Sequence, residues 1–291
     1  MKSQSKGNIL NSPFVVTACL SFCLVWGSAL VAEESVAKGV SDSAAPLTLQ
    51  PQCPPVFGDY AVFQQGIRVP VWGTSLPKAT VTIRFGKQTK KTVTDKDGHW
   101  KLTLEPMLAD KLVTLDKAPQ GRTLTIVAEL DTKRASQSFA DILIGEVWLC
   151  SGQSNMAGKV RHNTANQDPN DDLMKSNLPA IRQTVANGEW ISATRPSVGE
   201  FTRVGFCFAR KVQREIKVPI GLINASTGGS RIESWMRIPP QKLPADSPTT
   251  KNVRYGSLYQ KHIASLVSYG LRGALWYQGT PLVGAEYRTA K

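Results

Sequence analysis

The chain has 291 residues, of which 41% are hydrophobic and 20% are charged. Such a composition excludes a mostly disordered protein, and the length suits one large domain or two ordinary ones. The formal net charge of +13 would suit an anionic partner. The basic residues are scattered, however, and the one tight cluster, at 87–91, lacks the interleaved aromatic residues of a nucleic-acid groove. We therefore expect no nucleic-acid partner.

The first 32 residues have the features of a secretory signal peptide. Lys2 and Lys6 precede an apolar stretch over residues 13–31, and small residues follow that stretch. The alternative is a membrane anchor, because the apolar stretch approaches the length that spans a bilayer. We expect export, with a secreted or periplasmic mature protein and no stable membrane insertion once the signal is removed.

Residues 33–46 are small and polar and are predicted to be a linker. After them the sequence changes to short alternating apolar runs that are separated by turn residues. The predicted strands are residues 69–73, 80–85, 99–104 and 123–130. Short strands at this spacing predict an all-β sandwich domain over residues 47–139. The Asp97-Gly98 pair is the strongest hairpin signal in the chain. We expect this domain to be structural or to face carbohydrate, with no catalytic residues.

Residues 140–291 have the pattern of an α/β domain. The predicted elements are a strand at 142–150, a helix at 201–216, a strand at 220–225, a helix from about 230, a helix at about 257–269 and a strand at 273–279. Strands that alternate with helices predict a parallel sheet with flanking helices. Ligands bind at the carboxyl ends of the strands in such sheets. The three strands end in the polar turns SGQSN, STGGS and YQG, which therefore mark the candidate site.

These turns carry residues that suit the cleavage of an acyl ester, which needs a nucleophile, a base and donors aimed at the developing oxyanion. Ser154, at the tip of the first strand, is the candidate nucleophile, although a serine in this position is more often a helix N-cap. Gly228 and Gly229 either let a backbone N–H approach a substrate closely or simply form a tight loop. The amide of Gln278 either donates to an oxyanion or is a polar strand end.

No metal site is expected. Outside the predicted signal peptide, the cysteines and histidines are Cys53, Cys150, Cys207, His99, His162 and His262. This widely spaced set has neither the spacing of metal ligands nor the even number of cysteines of a disulfide framework.

The stretches GEVWLCSGQSNM, VPIGLINASTGGSRIESWM and GALWYQG together resemble the sialate O-acetylesterase family of SGNH-type hydrolases. The upstream residues, from VFGDYAVFQQG to DGHWKLTL, also look like the β domain of bacterial members. The resemblance implies hydrolysis of O-acetyl esters on an acetylated glycan or sialoside, without a metal or an organic cofactor. It also implies that Ser154 is the nucleophile, that Gly228 and Gly229 form the oxyanion block, and that Gln278 is a side-chain donor to the oxyanion.

Gln153 and Asn155, the neighbours of the nucleophile, are then expected to bind substrate. The chain also departs from the family pattern. Thr280 and Leu282 stand where the family has a glutamate and an asparagine, and Thr227 stands where it usually has an aromatic residue. These departures remove a carboxylate and an amide from the expected site.

The catalytic base is the largest departure. The family draws its catalytic histidine from an Asp-x-x-His motif far downstream, and no such motif occurs up to Lys291. We expect a C-terminally incomplete esterase domain with one uncovered sheet edge. His162 is predicted to be a polar loop residue, His262 to lie in a helix and His99 to belong to the β domain. A serine without a base attacks poorly, so weak or absent hydrolysis is expected. The alternative is a non-catalytic glycan-binding protein with a degenerate esterase domain.

Overall fold

The computed structural model describes residues 47–162, 173–185, 188–237 and 255–278. The predicted signal peptide and linker lie outside the described residues, as do Thr280 and Leu282. Within the described ranges, no helix is both long and apolar enough to cross a membrane. The contacts of the chain from Pro46 onward form one compact unit.

The β-rich part begins with six strands. They are β1 (Val62–Gln64), β2 (Val69–Thr74), β3 (Thr80–Phe85), β4 (Gln88–Val93), β5 (His99–Leu104) and β6 (Arg122–Leu130). The four strands predicted from alternation are confirmed. β3 pairs antiparallel with β4 and β6, whereas β2 pairs antiparallel with β5 in a separate sheet. The alternating side chains of β2 and β3 point into a shared apolar core.

The predicted hairpin at Asp97-Gly98 is wrong. This turn joins β4 to β5, but those strands belong to different sheets. The turn is closed locally by backbone hydrogen bonds, from Asp95 N–H to the His99 carbonyl and from Gly98 N–H to the Asp95 carbonyl. Oδ1 of Asp95 also accepts hydrogen bonds from the N–H groups of Asp97 at 2.9 Å and His99 at 2.8 Å. An Asp-Gly pair therefore formed the expected turn, while tertiary packing decided which strands pair.

The long strand β7 (Lys133–Gly152) organises the rest of the sheet. Its first half pairs antiparallel with β6, and its second half pairs parallel with β1, β10 (Ile220–Ser226) and β11 (Gly273–Tyr277). On the far side of β10 lie β8 (Leu178–Val185) and β9 (Ile191–Ala193). The fold is thus a mixed α/β arrangement. The predicted boundary at 139/140 lies inside the continuous strand β7, and a separate sandwich domain is not confirmed.

The predicted amphipathic helix is present as α2 (Arg203–Ile216), and it ends at Lys217, which has a left-handed φ of 50°. The fully buried residues of α2 are Gly205, Phe206, Ala209 and Gln213. The spacing of Phe201, Val204, Phe208, Val212 and Ile216 predicted the apolar face of this helix. Phe201 is buried, Val204 and Val212 pack partly buried against the same apolar cluster, Phe208 contacts Trp148, and Ile216 is exposed. The prediction of the helix is confirmed, and its most deeply buried positions lie beside the predicted ones.

In the described residues, the other two predicted helices contain 3-10 and π turns in place of regular α-helix. Residues after 230 form a single 3-10 turn, Ile232–Trp235, because the Ser230 hydroxyl accepts a hydrogen bond from the Trp235 indole at 3.0 Å and does not cap a helix. The segment predicted at about 257–269 contains the π-helical turn Tyr259–Ile263 followed by the 3-10 turn Ala264–Leu266.

Two apolar clusters pack on opposite faces of the parallel strands. One contains Ile223 and Ala225 of β10 together with the buried side chains of the β-rich part. The other contains Ile220 and Leu222 of β10 and includes Phe206 of α2. Because β10 alternates between two buried faces, its sequence is continuously apolar, which is the pattern of a central parallel strand.

Candidate active site

The three polar turns meet at one edge of the sheet, as predicted. In the parallel register, the last residue of β10, Ser226, and the last residue of β11, Tyr277, both lie beside Gly152, the last residue of β7. The turn that carries Ser154 therefore lies between the turns that begin at Thr227 and Gln278. This is the carboxyl end of the strands, where α/β proteins place their ligand sites.

The two serines of the SGQSN turn have different environments. Ser151 is 0% exposed, and its hydroxyl donates a 2.8 Å hydrogen bond to the carbonyl of Ala225, which ties β7 to β10. Ser154 is exposed and is the first residue of α1 (Ser154–Ala157). Of the two, only Ser154 is open to solvent, and its role as the nucleophile stays a prediction.

Gly152 allows the three strand ends to approach closely. It has a φ of +125°, and a Cβ at this position would overlap the carbonyl oxygen of Tyr277. The backbone then continues the contacts, because Gln153 N–H donates to the Tyr277 carbonyl at 2.9 Å and Thr227 N–H donates to the Gly152 carbonyl at 3.0 Å. Both neighbouring turns are thereby held against the residue that precedes α1.

The Gly228-Gly229 turn lies directly against Ser154. A Cβ on Gly228 would lie 3.9 Å from Cβ of Ser154. Gly229 has a φ of +70°, a left-handed conformation that favours glycine. Gly228 therefore lies against Ser154, and the role of this turn as an oxyanion block stays a prediction.

Gln278 lies beside the same turn, and its side-chain amide is hydrogen-bonded to that turn and not to Ser154. Its Nε2 donates a long, 3.4 Å hydrogen bond to the carbonyl of Ser230, which directly follows Gly229. The structure thus brings together all four residues predicted for the nucleophile and the oxyanion hole, with Gln278 as the one whose side chain has another partner.

An open cavity of about 620 Å³ begins at Ser154. Its lining residues are Ser154, Asn155, Gly158, Lys159, His162, Arg203, Val204, Cys207 and Tyr277. Asn155 was predicted as a substrate-binding residue, and it lies in this wall. Gln153 was predicted likewise, but its side chain is 2% exposed and does not line the cavity, so the structure gives that prediction no support.

The basic wall of the cavity was not found from the sequence. Arg203 begins α2, and its N–H donates to the Gly158 carbonyl at 2.8 Å, so the start of this helix sits beside the end of α1. The Thr202 hydroxyl adds a 2.6 Å hydrogen bond to the Met156 carbonyl. Lys159 stands next to them and pairs with Glu200 at 2.7 Å. No local sequence pattern predicts that these residues line the cavity, because their position depends on how α2 packs on α1.

Two histidines lie near the strand ends. His162 lines the cavity that holds Ser154, and its Nε2 accepts a hydrogen bond from Arg161 Nε at 3.2 Å. His262 lies in the π-helical turn, as the helix prediction required, with Nε2 at 3.3 Å from Thr227 Oγ1 and its ring stacked on Trp235. Burial, assisted by the nearby Lys261, holds the pKa of His262 below its usual value. Within the described part of the chain, neither histidine is hydrogen-bonded to Ser154.

The described ranges contain no cluster of three or more histidine, cysteine, aspartate or glutamate side chains in a position to hold an ion.

This arrangement, an exposed serine at a parallel strand end with a glycine turn and an amide beside it, is that of an SGNH-like carbohydrate esterase. A family model described as "Carbohydrate esterase, sialic acid-specific acetylesterase" matches residues 144–283. That range begins within β7 and includes all three turns.

Individual relatives agree with the family model. The chain is 30% identical to human sialate O-acetylesterase over 244 residues, which is 72% of this chain and 44% of the human protein. It is 26% identical to the mouse sialate O-acetylesterase over 269 residues, 72% of this chain and 48% of that protein. The crystal structure of a carbohydrate acetylesterase from Xanthomonas citri superposes with a TM-score of 0.65 at 30% identity, covering 79% of this chain and 51% of that one.

The chain belongs to the sialate O-acetylesterase family. It spans about half the length of the relatives that it matches.

Proposed function

We propose that this chain contributes a serine nucleophile and an oxyanion hole to the hydrolysis of O-acetyl esters on sugars. The observation that carries the proposal is the position of Ser154. It is exposed at the carboxyl end of β7, opens into a cavity and lies against Gly228. Human sialate O-acetylesterase and the Xanthomonas citri carbohydrate acetylesterase, which this chain resembles, are named for ester cleavage of this class.

In the proposed reaction, Ser154 Oγ attacks the acetyl carbonyl and its proton passes to a base. The sugar oxygen then leaves with a proton, and water releases acetate from the acyl-serine. The negative charge on the carbonyl oxygen is stabilised by backbone N–H groups of the Gly228-Gly229 turn and, after it releases the Ser230 carbonyl, by the amide of Gln278. One such donor is worth about 3–4 kcal/mol in a known hydrolase.

The described residues place no histidine against Ser154 to act as the catalytic base. Neither His162 nor His262 is hydrogen-bonded to Ser154 in the described structure, so neither is in place to accept its proton. We therefore propose that the 291-residue chain by itself hydrolyses acetyl esters slowly. A catalytic serine without its base retains only roughly 10³–10⁴-fold acceleration over water in the known triads.

The walls of the cavity suggest the kind of sugar. Lys159, which pairs with Glu200, and Arg203 line this cavity, and none of its lining residues is acidic. We propose that this basic lining favours a substrate with a carboxylate, such as a sialoside, over a neutral acetylated sugar.

We further propose that the protein is exported, on the basis of the signal-like residues 1–32. N-terminal sequencing of the mature protein, which would start near residue 30 or 33 and not at Met1, tests this.

The test of the proposal is a comparison of two serine variants that differ by three positions in the same turn. Ser154 of the unmodified chain is expected to become acetylated on incubation with p-nitrophenyl acetate, which peptide mass spectrometry locates, and Ser154→Ala is expected to lose this acetyl-serine and the part of the hydrolysis that passes through it. Ser151→Ala removes only the buried hydrogen bond to Ala225, so it is expected to lower the free energy of unfolding by about 1 kcal/mol and to keep most of the activity. Absence of an acetyl-serine at position 154 in both the unmodified chain and Ser151→Ala would rule out Ser154 as the nucleophile.

His162→Ala and His262→Ala complete the design. If the unmodified chain turns over at an ordinary enzymatic rate, on the order of 10 s⁻¹, a base is present, and the histidine whose removal abolishes that rate is that base. If both variants behave like the unmodified chain, slow turnover without a histidine base is supported.

A further inference from the structure

A second cavity lies at the other end of β7, away from Ser154. It has a volume of about 570 Å³, and its walls are rich in aromatic and acidic side chains. These side chains are Phe57, Asp59, Tyr60, Phe139, Glu189 and Trp190. Trp190 forms part of the floor, because it is buried and its indole donates to the Val56 carbonyl at 2.9 Å. None of these residues takes part in the proposed ester hydrolysis.

Tyr60 is held out into solvent in an unusual backbone conformation. Tyr60 is 46% exposed, and its φ of 65° lies in the left-handed region, which is rare for a bulky residue. Two hydrogen bonds fix this conformation: Tyr60 N–H donates to the Ala140 carbonyl at 3.0 Å, and Ala140 N–H donates to Oδ1 of Asp59 at 2.6 Å. Strained conformations that are fixed in this way cluster at ligand sites.

The ring of Tyr60 is supported from behind by a buried cation. The guanidinium carbon of Arg182 lies 5.3 Å from the ring centroid, in a cation–π contact. The side chain of Arg182 is 1% exposed, and its charge is taken by Asp141, whose Oδ2 is 3.1 Å from Nη2. Tyr60 also lines the neighbouring cavity that Arg182 lines. Tyr60 therefore lines both cavities, and Arg182, which lines the second, contacts its ring.

We propose that this Tyr60 cavity is a second carbohydrate site, which binds a pyranose unit of a neutral glycan. The apolar face of a pyranose stacks on an exposed aromatic ring, and carboxylates such as Asp59 and Glu189 accept hydrogen bonds from its hydroxyl groups. An anionic sugar is disfavoured, because the two acidic side chains repel it and the nearby positive charge of Arg182 is already neutralised by Asp141.

The Tyr60 cavity is too far from Ser154 to hold the sugar that is deacetylated. Tyr60 N–H is hydrogen-bonded to the Ala140 carbonyl, and β7 runs from there to Gly152, two residues before Ser154. At roughly 3.3 Å per residue this stretch is at most about 40 Å long, and the two cavities share no lining residue. The site would hold a distant part of the same glycan or a neighbouring chain. The choice of a sugar as ligand rests on the proposed function, whereas the cavity itself does not.

The experiment is a calorimetric titration of the full chain with unsubstituted cello-, manno- and xylo-oligosaccharides, which carry no acetyl ester, and with an oligogalacturonide as the anionic counterpart. Tyr60→Gly removes the ring and relieves the left-handed strain, so a stably folded variant is expected. Tyr60→Phe retains the ring. Tyr277→Ala is the matched control, because Tyr277 is also 46% exposed but lies at the Ser154 cavity.

We expect at least one neutral oligosaccharide to bind, Tyr60→Gly to weaken that binding by about tenfold or more, and Glu189→Ala to weaken it by a smaller factor. Tyr60→Phe and Tyr277→Ala are expected to bind like the unmodified chain. The proposal is overturned if no neutral oligosaccharide binds, if the oligogalacturonide is preferred through Tyr60, or if Tyr277→Ala abolishes binding while Tyr60→Gly keeps it. Because binding does not require Ser154, Ser154→Ala separates a failure of this site from a failure of the esterase proposal.

Discussion

The two halves of β7 belong to one strand but have different surroundings. From Lys133 to Asp141 the strand is paired antiparallel with β6, and its residues are exposed or partly buried. From Ile142 to Gly152 nearly every residue is buried, and the partners are parallel strands. The difference shows why only the second half ends in a candidate site: parallel neighbours finish at the same edge and bring their turns together, whereas an antiparallel neighbour turns back.

A substitution at the junction of the two halves of β7 is expected to lower the free energy of unfolding the most. Arg182→Ala leaves the carboxylate of Asp141 without its cation and empties one of the largest fully buried side-chain positions. We expect a loss of about 4 kcal/mol in the free energy of unfolding, measured by urea denaturation. Arg134→Ala is the control in the first half, where Arg134 and Glu129 are both largely exposed, and it should cost less than about 1 kcal/mol. Similar losses for both variants would contradict the contrast.

Within the buried half, the loss of an apolar side chain is expected to have the next largest effect. Ile144→Ala removes a fully buried side chain from the larger apolar cluster, which should lower the free energy of unfolding by about 3 kcal/mol. Ser136→Ala, at an exposed position of the first half, should change it by less than about 0.5 kcal/mol. Thermal or urea unfolding of the two variants measures the difference directly, and an equal effect would show that the halves contribute alike.

Gly152→Ala tests the meeting of the strand ends. Alanine is strained at a φ of +125°, and its Cβ would overlap the Tyr277 carbonyl. We expect a loss of about 2 kcal/mol in the free energy of unfolding. We also expect a larger fall in aryl acetate hydrolysis than the fall in stability explains, because Ser154 is displaced from Gly228. Gly86→Ala is the control, since Gly86 also has a positive φ, of 56°, but lies in a turn of the β-rich part. An unchanged rate of aryl acetate hydrolysis in Gly152→Ala would show that the reaction does not depend on this close approach of the strand ends.

The smallest expected effect is a pH dependence at the edge that holds Ser154. The pKa of His262 is lower in the folded chain than its usual value of about 6.5. The folded state therefore favours neutral His262, and the stability that it contributes is present above about pH 6.5 and is lost as the pH falls through the lowered pKa. In urea unfolding at about pH 7.5 and pH 5.5, His262→Gln should lose less stability on acidification than the unmodified chain. A steeper loss in the variant would contradict the sign.

Sequence patterns predicted the elements of this site better than its surroundings. The three strands that end in polar turns and the helix α2 followed from apolar periodicity and turn residues, because these are local signals, whereas the parallel strands β1 and β8 were not predicted. The boundary at 139/140 did not, since the change from alternating to continuous apolar residues marks a change of strand partners within β7 and not the end of an element. Lys159 and Arg203 were missed, because only the docking of α2 on α1 brings them to Ser154. Tyr60 was missed because no sequence pattern predicts a left-handed tyrosine.

The register of β7 also has a consequence for the order in which the chain folds. The first half of β7 pairs with β6, which precedes it across a short turn. In the second half, Leu143 pairs with Val62, far back in the sequence, and Trp148 pairs with Gly273, much later in the chain. Contacts between residues far apart in sequence form slowly, because the loop entropy is lost before they are made. On a ribosome, the edge that presents Ser154 would therefore be the last to assemble, after the β-rich part is already in place.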